Sequence, residues 1–180
     1  WENIKTESLS TAQIYSQYVI IMALIPVISQ FIERSFIGID FGGERMRFPI
    51  VNTFGYGVLE YILTLAGIYI TALIIDALAP SFGARKDLNG SLKVAAFSPT
   101  AVWVVSLVTW IPGLWFIGIF GLYSLYLLYL GIKLIKETPE DKLIGYYVVI
   151  ILVMIVIFVG ISAIAGLFLL HRFSYLGLIL

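Results

Sequence analysis

From Ala12 to Ile32 the chain carries no charged side chain. A hydrocarbon core about 30 Å thick asks a helix for about 20 such residues, so this run alone narrows the folds open to the chain. Comparable runs recur at Phe54–Ala79, Val94–Ile111, Gly113–Leu134 and Leu143–Leu170. Backbone amides and carbonyls find no partner in lipid, so each run has to close its hydrogen bonds internally, as a helix. The expected fold is therefore an all-α membrane protein: one transmembrane domain, residues 1–180, built as a bundle of five spanning helices.

Composition agrees. Charged residues are 12% of the chain, against about 25% in soluble domains. Lys and Arg together number 11, matching 11 Asp and Glu, so no basic surface for nucleic acid is expected. Cysteine is absent and His171 is the one histidine, which removes thiolate chemistry and the common imidazole metal sites. No cofactor is expected. The first span is too long for the apolar stretch of a typical cleavable signal, and Pro26 is expected to kink it.

The connections set the topology. Placing the N-terminus inside puts Lys5, Arg85, Lys86, Lys93, Lys133, Lys136 and Lys142 on the inner side, and Arg34, Arg45, Arg47 and Arg172 on the outer side. That excess favours N-terminus in and C-terminus out. The segment Glu33–Thr53, with Gly38, Gly42, Gly43 and Pro49, reads as irregular chain. Ile111–Leu114 is a tight turn, so the third and fourth helices are antiparallel neighbours. Thr138 and Pro139 start the last helix, which is expected to break near Gly166.

Few residues offer chemistry. Glu60 lies inside an apolar run, where a charge costs about 2.5–3.5 kcal/mol and is normally paired or wetted. It is read as a hydrogen-bonded strut between helices or as an ion or proton site. Asp76 follows 16 residues later, about 160° further round an ideal helix, so the two carboxylates do not form a catalytic pair. Asp76 is expected to join Arg85 or Lys86 in a charged cluster at the inner rim. Tyr123, Tyr126 and Tyr129 make a stripe on the fourth helix. The Tyr123 hydroxyl is expected to face the protein interior, and Tyr129 to belong to an aromatic belt. Gly118, Gly121, Ser124 and Gly131 form a small-residue strip for close helix packing. The sequence has no HExxH, phosphate-binding loop or GxSxG, so no enzyme activity is expected.

Several ordered elements carry a family resemblance: Leu78-Ala79-Pro80-Ser81-Phe82-Gly83, then Ser91–Thr100, the Ile111–Leu114 turn, the Tyr123–Gly131 helix and the Pro139–Tyr146 start. With the opening Trp1-Glu2-Asn3-Ile4 and Glu7, these resemble the Yip domain family, membrane proteins named for interaction with Ypt/Rab GTPases, in its bacterial-type branch. Phe97 stands where that pattern has tyrosine, and Pro99-Thr100 reverses its order. The resemblance implies five helices with the N-terminus in, and a multi-pass protein of a bacterial-type inner or plasma membrane. It brings no catalytic residues.

Two functions follow as expectations. The first is a non-enzymatic membrane protein that organises membranes or binds partners, in contact with the lipid bilayer and with a protein partner or a second copy of itself. The alternative is a small transporter or channel for a cation or proton, with Glu60 on a polar path lined by Tyr123 and Tyr126; the metal, if any, is open.

Overall fold

The computed structural model describes residues 1–7 and 9–175, with no description of the side chains of Phe41 and residues 168–175. A short helix α1 (Glu2–Thr6) precedes five helices long and apolar enough to cross a membrane. These are α2 (Thr11–Ile37), α3 (Ile50–Phe82), α4 (Leu88–Thr109), α5 (Trp115–Leu134) and α6 (Glu140–Tyr175). They alternate in direction, which gives the bundle an N-terminal side and an opposite side that carries the α2–α3 connection. The outer charge counted at Arg172 lies outside the described side chains.

Local chemistry sets the ends of the helices. Ser10 caps α2 through a reciprocal pair: its Oγ accepts from the Gln13 amide at 3.3 Å, and Gln13 Oε1 accepts from the Ser10 amide at 2.8 Å. Such a box satisfies two of the amides that a helix start leaves open. Asp87 caps α4 by accepting from the Asn89 amide at 3.1 Å. Gly83 ends α3 at φ 65°, a left-handed conformation that glycine adopts without a Cβ penalty.

The α2–α3 connection departs from the irregular chain expected for Glu33–Thr53. Helix α2 continues as a π-helical turn over Glu33–Ile37, followed by a hairpin of β1 (Ile39–Phe41) and β2 (Glu44–Met46). Gly42 and Gly43 both have positive φ, as a two-residue mirror-image turn requires, and Asp40 Oδ1 accepts from the Gly43 amide at 2.8 Å. At the other end of the chain, α6 runs without interruption past Gly166 to Tyr175. Glycine there costs about 1 kcal/mol, too little to break a long apolar helix whose carbonyls have no other donors in lipid.

Helices α4 and α5 are antiparallel neighbours across the turn containing Gly113. The first part of α5, Trp115–Leu122, is a 3-10 helix. Three residues per turn bring Gly118, Gly121 and Ser124 into line. That line faces α4: a Cβ on Gly121 would stand 3.3 Å from Val102, and Ser124 Oγ accepts from the Val102 amide at 3.1 Å. Gly131 faces Trp1, where a Cβ would meet the indole at 3.0 Å.

The buried core lies toward the N-terminal side, where Ile75, Leu92, Val94, Leu128, Ile132 and Ile150 pack together. The N-terminal segment closes this end. Lys93 Nζ donates to the Ile4 and Glu7 carbonyls at 2.7 and 2.6 Å, and Asn89 Nδ2 donates to the Leu9 carbonyl at 2.7 Å. Lys5 reaches Glu137 at 2.7 Å. Glu137 sits at φ 51°, a strained conformation for a residue with a Cβ. Its carboxylate bridges to Lys5 and, at 3.9 Å, to Arg85.

The hydrogen bond from Lys5 holds the Glu137 carboxyl below its ordinary value of 4.5. A carboxylate with a depressed pKa in the folded state stabilises that state above the ordinary value and loses the effect as pH falls through its folded value. Protection factors of the amides over Glu2–Thr6, corrected for the intrinsic pH dependence of exchange, are therefore expected to fall as pH drops below about 4.5. Glu137→Gln should abolish that pH step; a step that persists in the variant would assign the anchoring to another group.

Candidate functional site

Glu60 projects from α3 toward α2. Gln30 Nε2 donates to Glu60 Oε1 at 2.9 Å, while Glu60 Oε2 is buried with no partner among the described residues. One turn toward the hairpin side, the Arg34 guanidinium lies 4.0 Å above the Tyr56 ring and donates to its hydroxyl at 3.3 Å. Gln30 and Arg34 are four apart, as are Tyr56 and Glu60, so the two pairs stack as a polar seam between α2 and α3. Nη1 of Arg34 and Nδ2 of Asn52 are likewise buried without partners among the described residues. Glu60 is thus tied to another helix through a neutral amide, not through a cation.

Glu60 also borders a cavity of about 680 Å³ lined by all five spanning helices. Its walls are mainly apolar, including Pro26, Val27, Trp103, Leu128, Met154 and Phe158. The hydroxyls there are mostly committed to their own helices: Ser98 Oγ donates to the Val94 carbonyl at 2.6 Å, Ser106 Oγ to Trp103 at 2.6 Å, and Thr71 Oγ1 to Gly67 at 2.7 Å. Such back-bonding spends the donor locally. Toward the N-terminal side the cavity ends at a layer of fully buried groups: Ala72, Ile75, Leu92, Ile132, Tyr146 and Ile150.

The tyrosine stripe is not part of this cavity. Tyr123 and Tyr126 are 55% and 51% exposed, their rings 5.5 Å apart on the outer surface of α5. Neither hydroxyl has a hydrogen-bond partner among the described residues, and neither side chain lines the cavity with Glu60. The expected inward Tyr123 and the path shared by Glu60, Tyr123 and Tyr126 are therefore corrected. The reason is local: in this part of the bundle the small residues occupy the inward line of α5, which leaves the tyrosines the outward one. Tyr129 packs edge-on against Tyr147 at 5.7 Å.

Asp76 is also corrected. Its carboxylate pairs at 3.3 Å with Lys136, not with Arg85 or Lys86. Lys136 Nζ further donates to Ser91 Oγ at 2.7 Å and to the Asp87 carbonyl at 3.1 Å. Arg85 turns to Glu137 instead. Burial of Lys136 pushes its ammonium pKa down, and the hydrogen bond and charge of Asp76 oppose that shift. Tyr146 closes the same layer by donating to the Ile75 carbonyl and stacking on Phe82 at 4.9 Å. No group of three or more His, Cys, Asp or Glu side chains able to hold a metal exists among the described residues.

Sequence reasoning passed over Gln30 and Lys136. Gln30 is uncharged and sits in a charge-free span; Lys136 stands in a link whose composition resembles solvated chain. The one available signal for Gln30 was a long polar side chain inside an otherwise apolar run.

Comparison with known proteins now adds to this geometry. The model of the Yip1 domain matches residues 1–161. The chain belongs to the Yip1 domain family. Its Yip1 domain is 31% identical over 113 residues to the inner membrane protein YohC of Escherichia coli strain K12, across 62% of this chain and 58% of that relative. The same figures hold for YohC of Escherichia coli O6:H1. The alignment thus spans under two thirds of either relative. No solved structure matches. With its five apolar spanning helices, this Yip1-domain chain is a multi-pass helical membrane protein.

The buried pair in the Yip1 domain gives a stability test. The Lys136 side chain is 0% exposed and that of Asp76 14%. Removing one partner of such a pair costs about 3–5 kcal/mol, whereas replacing both with apolar groups is often neutral. Lys136→Met is expected to lower the unfolding midpoint in detergent sharply, and Asp76→Leu combined with it to restore most of the loss. Additive losses would show that the two side chains do not act as a pair.

Proposed function

We propose that the protein is non-enzymatic and works by association within the bilayer, binding a protein partner or a second copy of itself through α5. The observation that carries this reading is the exposed pair Tyr123 and Tyr126. Tyr123 lies eight residues from Trp115, or about 16 Å at the ~2.0 Å rise of a 3-10 helix, deep in the hydrocarbon. A phenol there has no donor or acceptor in lipid, so a partner that supplies one gains both a hydrogen bond and ring packing. The surrounding face is aromatic and large, with Trp115, Phe116, Ile119 and Phe120 all exposed.

The relative's description as an inner membrane protein supports the same location for this chain. The concentration of basic residues at the N-terminal side, including Lys5, Arg85 and Lys133, supports that side facing the cytoplasm. Lipid itself is the constant partner of the remaining apolar surface.

Proximity measurements on labelled protein in liposomes test the association. Tyr123→Phe with Tyr126→Phe is expected to weaken self-association or partner capture by about 1 kcal/mol per hydroxyl lost. Unchanged association in the double variant would remove this reading.

A second reading, cation or proton transport, is favoured by one observation: the partnerless Oε2 of Glu60 beside the cavity. On that reading, flux of a monovalent cation or protons into liposomes falls to background in Glu60→Gln. Wild-type protein without flux across such a panel would end it.

A further inference from the structure

We propose that the cavity beside Glu60 is a binding site for a hydrophobic organic monocation, an ammonium or phosphonium centre covered by carbon substituents. The assignment rests on the Glu60 site of the transport reading and names its ligand class; it requires binding only, not passage.

Four observations converge on that chemistry. The cavity volume, about 680 Å³, lies in the range that encloses drug-sized molecules. Glu60 is the one ionisable side chain lining it among the described residues, and no cation pairs with its carboxylate there. Arg34, one turn away on the neighbouring helix, lies over the Tyr56 ring and makes no ion pair with Glu60. Trp103 and Phe158 contribute aromatic rings to the wall, surfaces that attract cations.

The same walls disfavour the other candidates. An inorganic cation such as calcium takes about six or more oxygen ligands, while this cavity offers a single carboxylate among mainly apolar walls. An anion would meet Glu60 with no compensating base. A neutral apolar molecule would fill the space without using the carboxylate of Glu60. A carbon-covered cation resolves both demands at once: its substituents replace apolar wall contacts and its charge needs a single counter-ion.

A lipid choline headgroup, whose ammonium is covered by methyl groups, and a free organic cation share this chemistry, and the experiment separates them. Purified full-length protein goes into nanodiscs of one fixed phosphatidylglycerol fraction, completed with phosphatidylcholine or with uncharged digalactosyldiacylglycerol, so that the surface charge is equal. The probe is tetraphenylphosphonium, and tetraphenylborate is the control of the same shape and opposite charge. Saturable tetraphenylphosphonium binding is expected, with tetraphenylborate failing to compete. Glu60→Gln should weaken it on the order of thirtyfold, as loss of a buried counter-charge does. Glu60→Asp, which keeps the charge, should retain saturable binding; this second variant guards against misfolding of the first, and its failure to bind overturns the proposal. A higher apparent Kd in phosphatidylcholine at equal surface charge identifies a lipid ammonium as the competing occupant, and an equal Kd points to a free cation. Equal binding by wild type and Glu60→Gln, or equal binding of the borate, overturns the proposal. Binding without flux would end the transport reading and leave this one standing.

Discussion

Hydrocarbon forms no hydrogen bonds, and the layout of this protein follows from how that deficit is met. At the N-terminal side a polar network supplies most of the answer, although Trp1 Nε1 and Asn89 Oδ1 are buried without partners among the described residues. Asp76, Lys136, Ser91 and the Asp87 carbonyl satisfy one another, and Lys93 ties the N-terminal segment over them. Around that polar plug the apolar core is dense, because side chains held by directional bonds give their neighbours fixed surfaces to pack on. Toward the hairpin side the answer is incomplete. Partnerless atoms of Arg34, Asn52 and Glu60 lie along one seam, and the bundle opens into a cavity beside them. The densest packing and the buried ion pair lie at one end of the molecule, and the cavity and the seam of Gln30, Arg34, Tyr56 and Glu60 lie toward the other.

Much of the architecture was legible in the chain. Spanning helices announce themselves because the bilayer selects on composition over some 20 residues, a signal independent of register. Glu60 was legible for the same reason, as a charge where charges are costly. The Asp76 partner was not: Lys136 lies 60 positions away, in the link KETPEDK, whose charges look solvated until the fold buries one of them. The hairpin was also hidden. Gly42-Gly43 after Asp40 is a turn signal, but strands of three residues are too short to show alternation.

The tyrosine stripe shows a subtler limit. Hydroxyls in a membrane helix are expected to turn inward, and that rule holds for Tyr15, Tyr61 and Tyr146, each of which donates to a carbonyl of another helix. It fails for Tyr123 and Tyr126 because α5 can present only one line to α4, and the glycines take it. When small residues and phenols compete for the inward side, close backbone approach decides, and the phenols are left for whatever lies outside.

The 3-10 stretch Trp115–Leu122 has a consequence for how the protein meets membranes of different thickness. A 3-10 residue rises ~2.0 Å and an α residue ~1.5 Å, so this stretch is about 4 Å longer than it would be as α-helix. The turn angle differs too, near 120° against 100° per residue, so a change of helix type would rotate one end of α5 relative to the other as it shortened. Hydrophobic mismatch costs fractions of a kcal/mol per ångström, the scale on which two helix types compete. A thinner bilayer would favour the shorter form, and the tyrosine-bearing surface would swing round with it, coupling bilayer thickness to the face that α5 shows its neighbours.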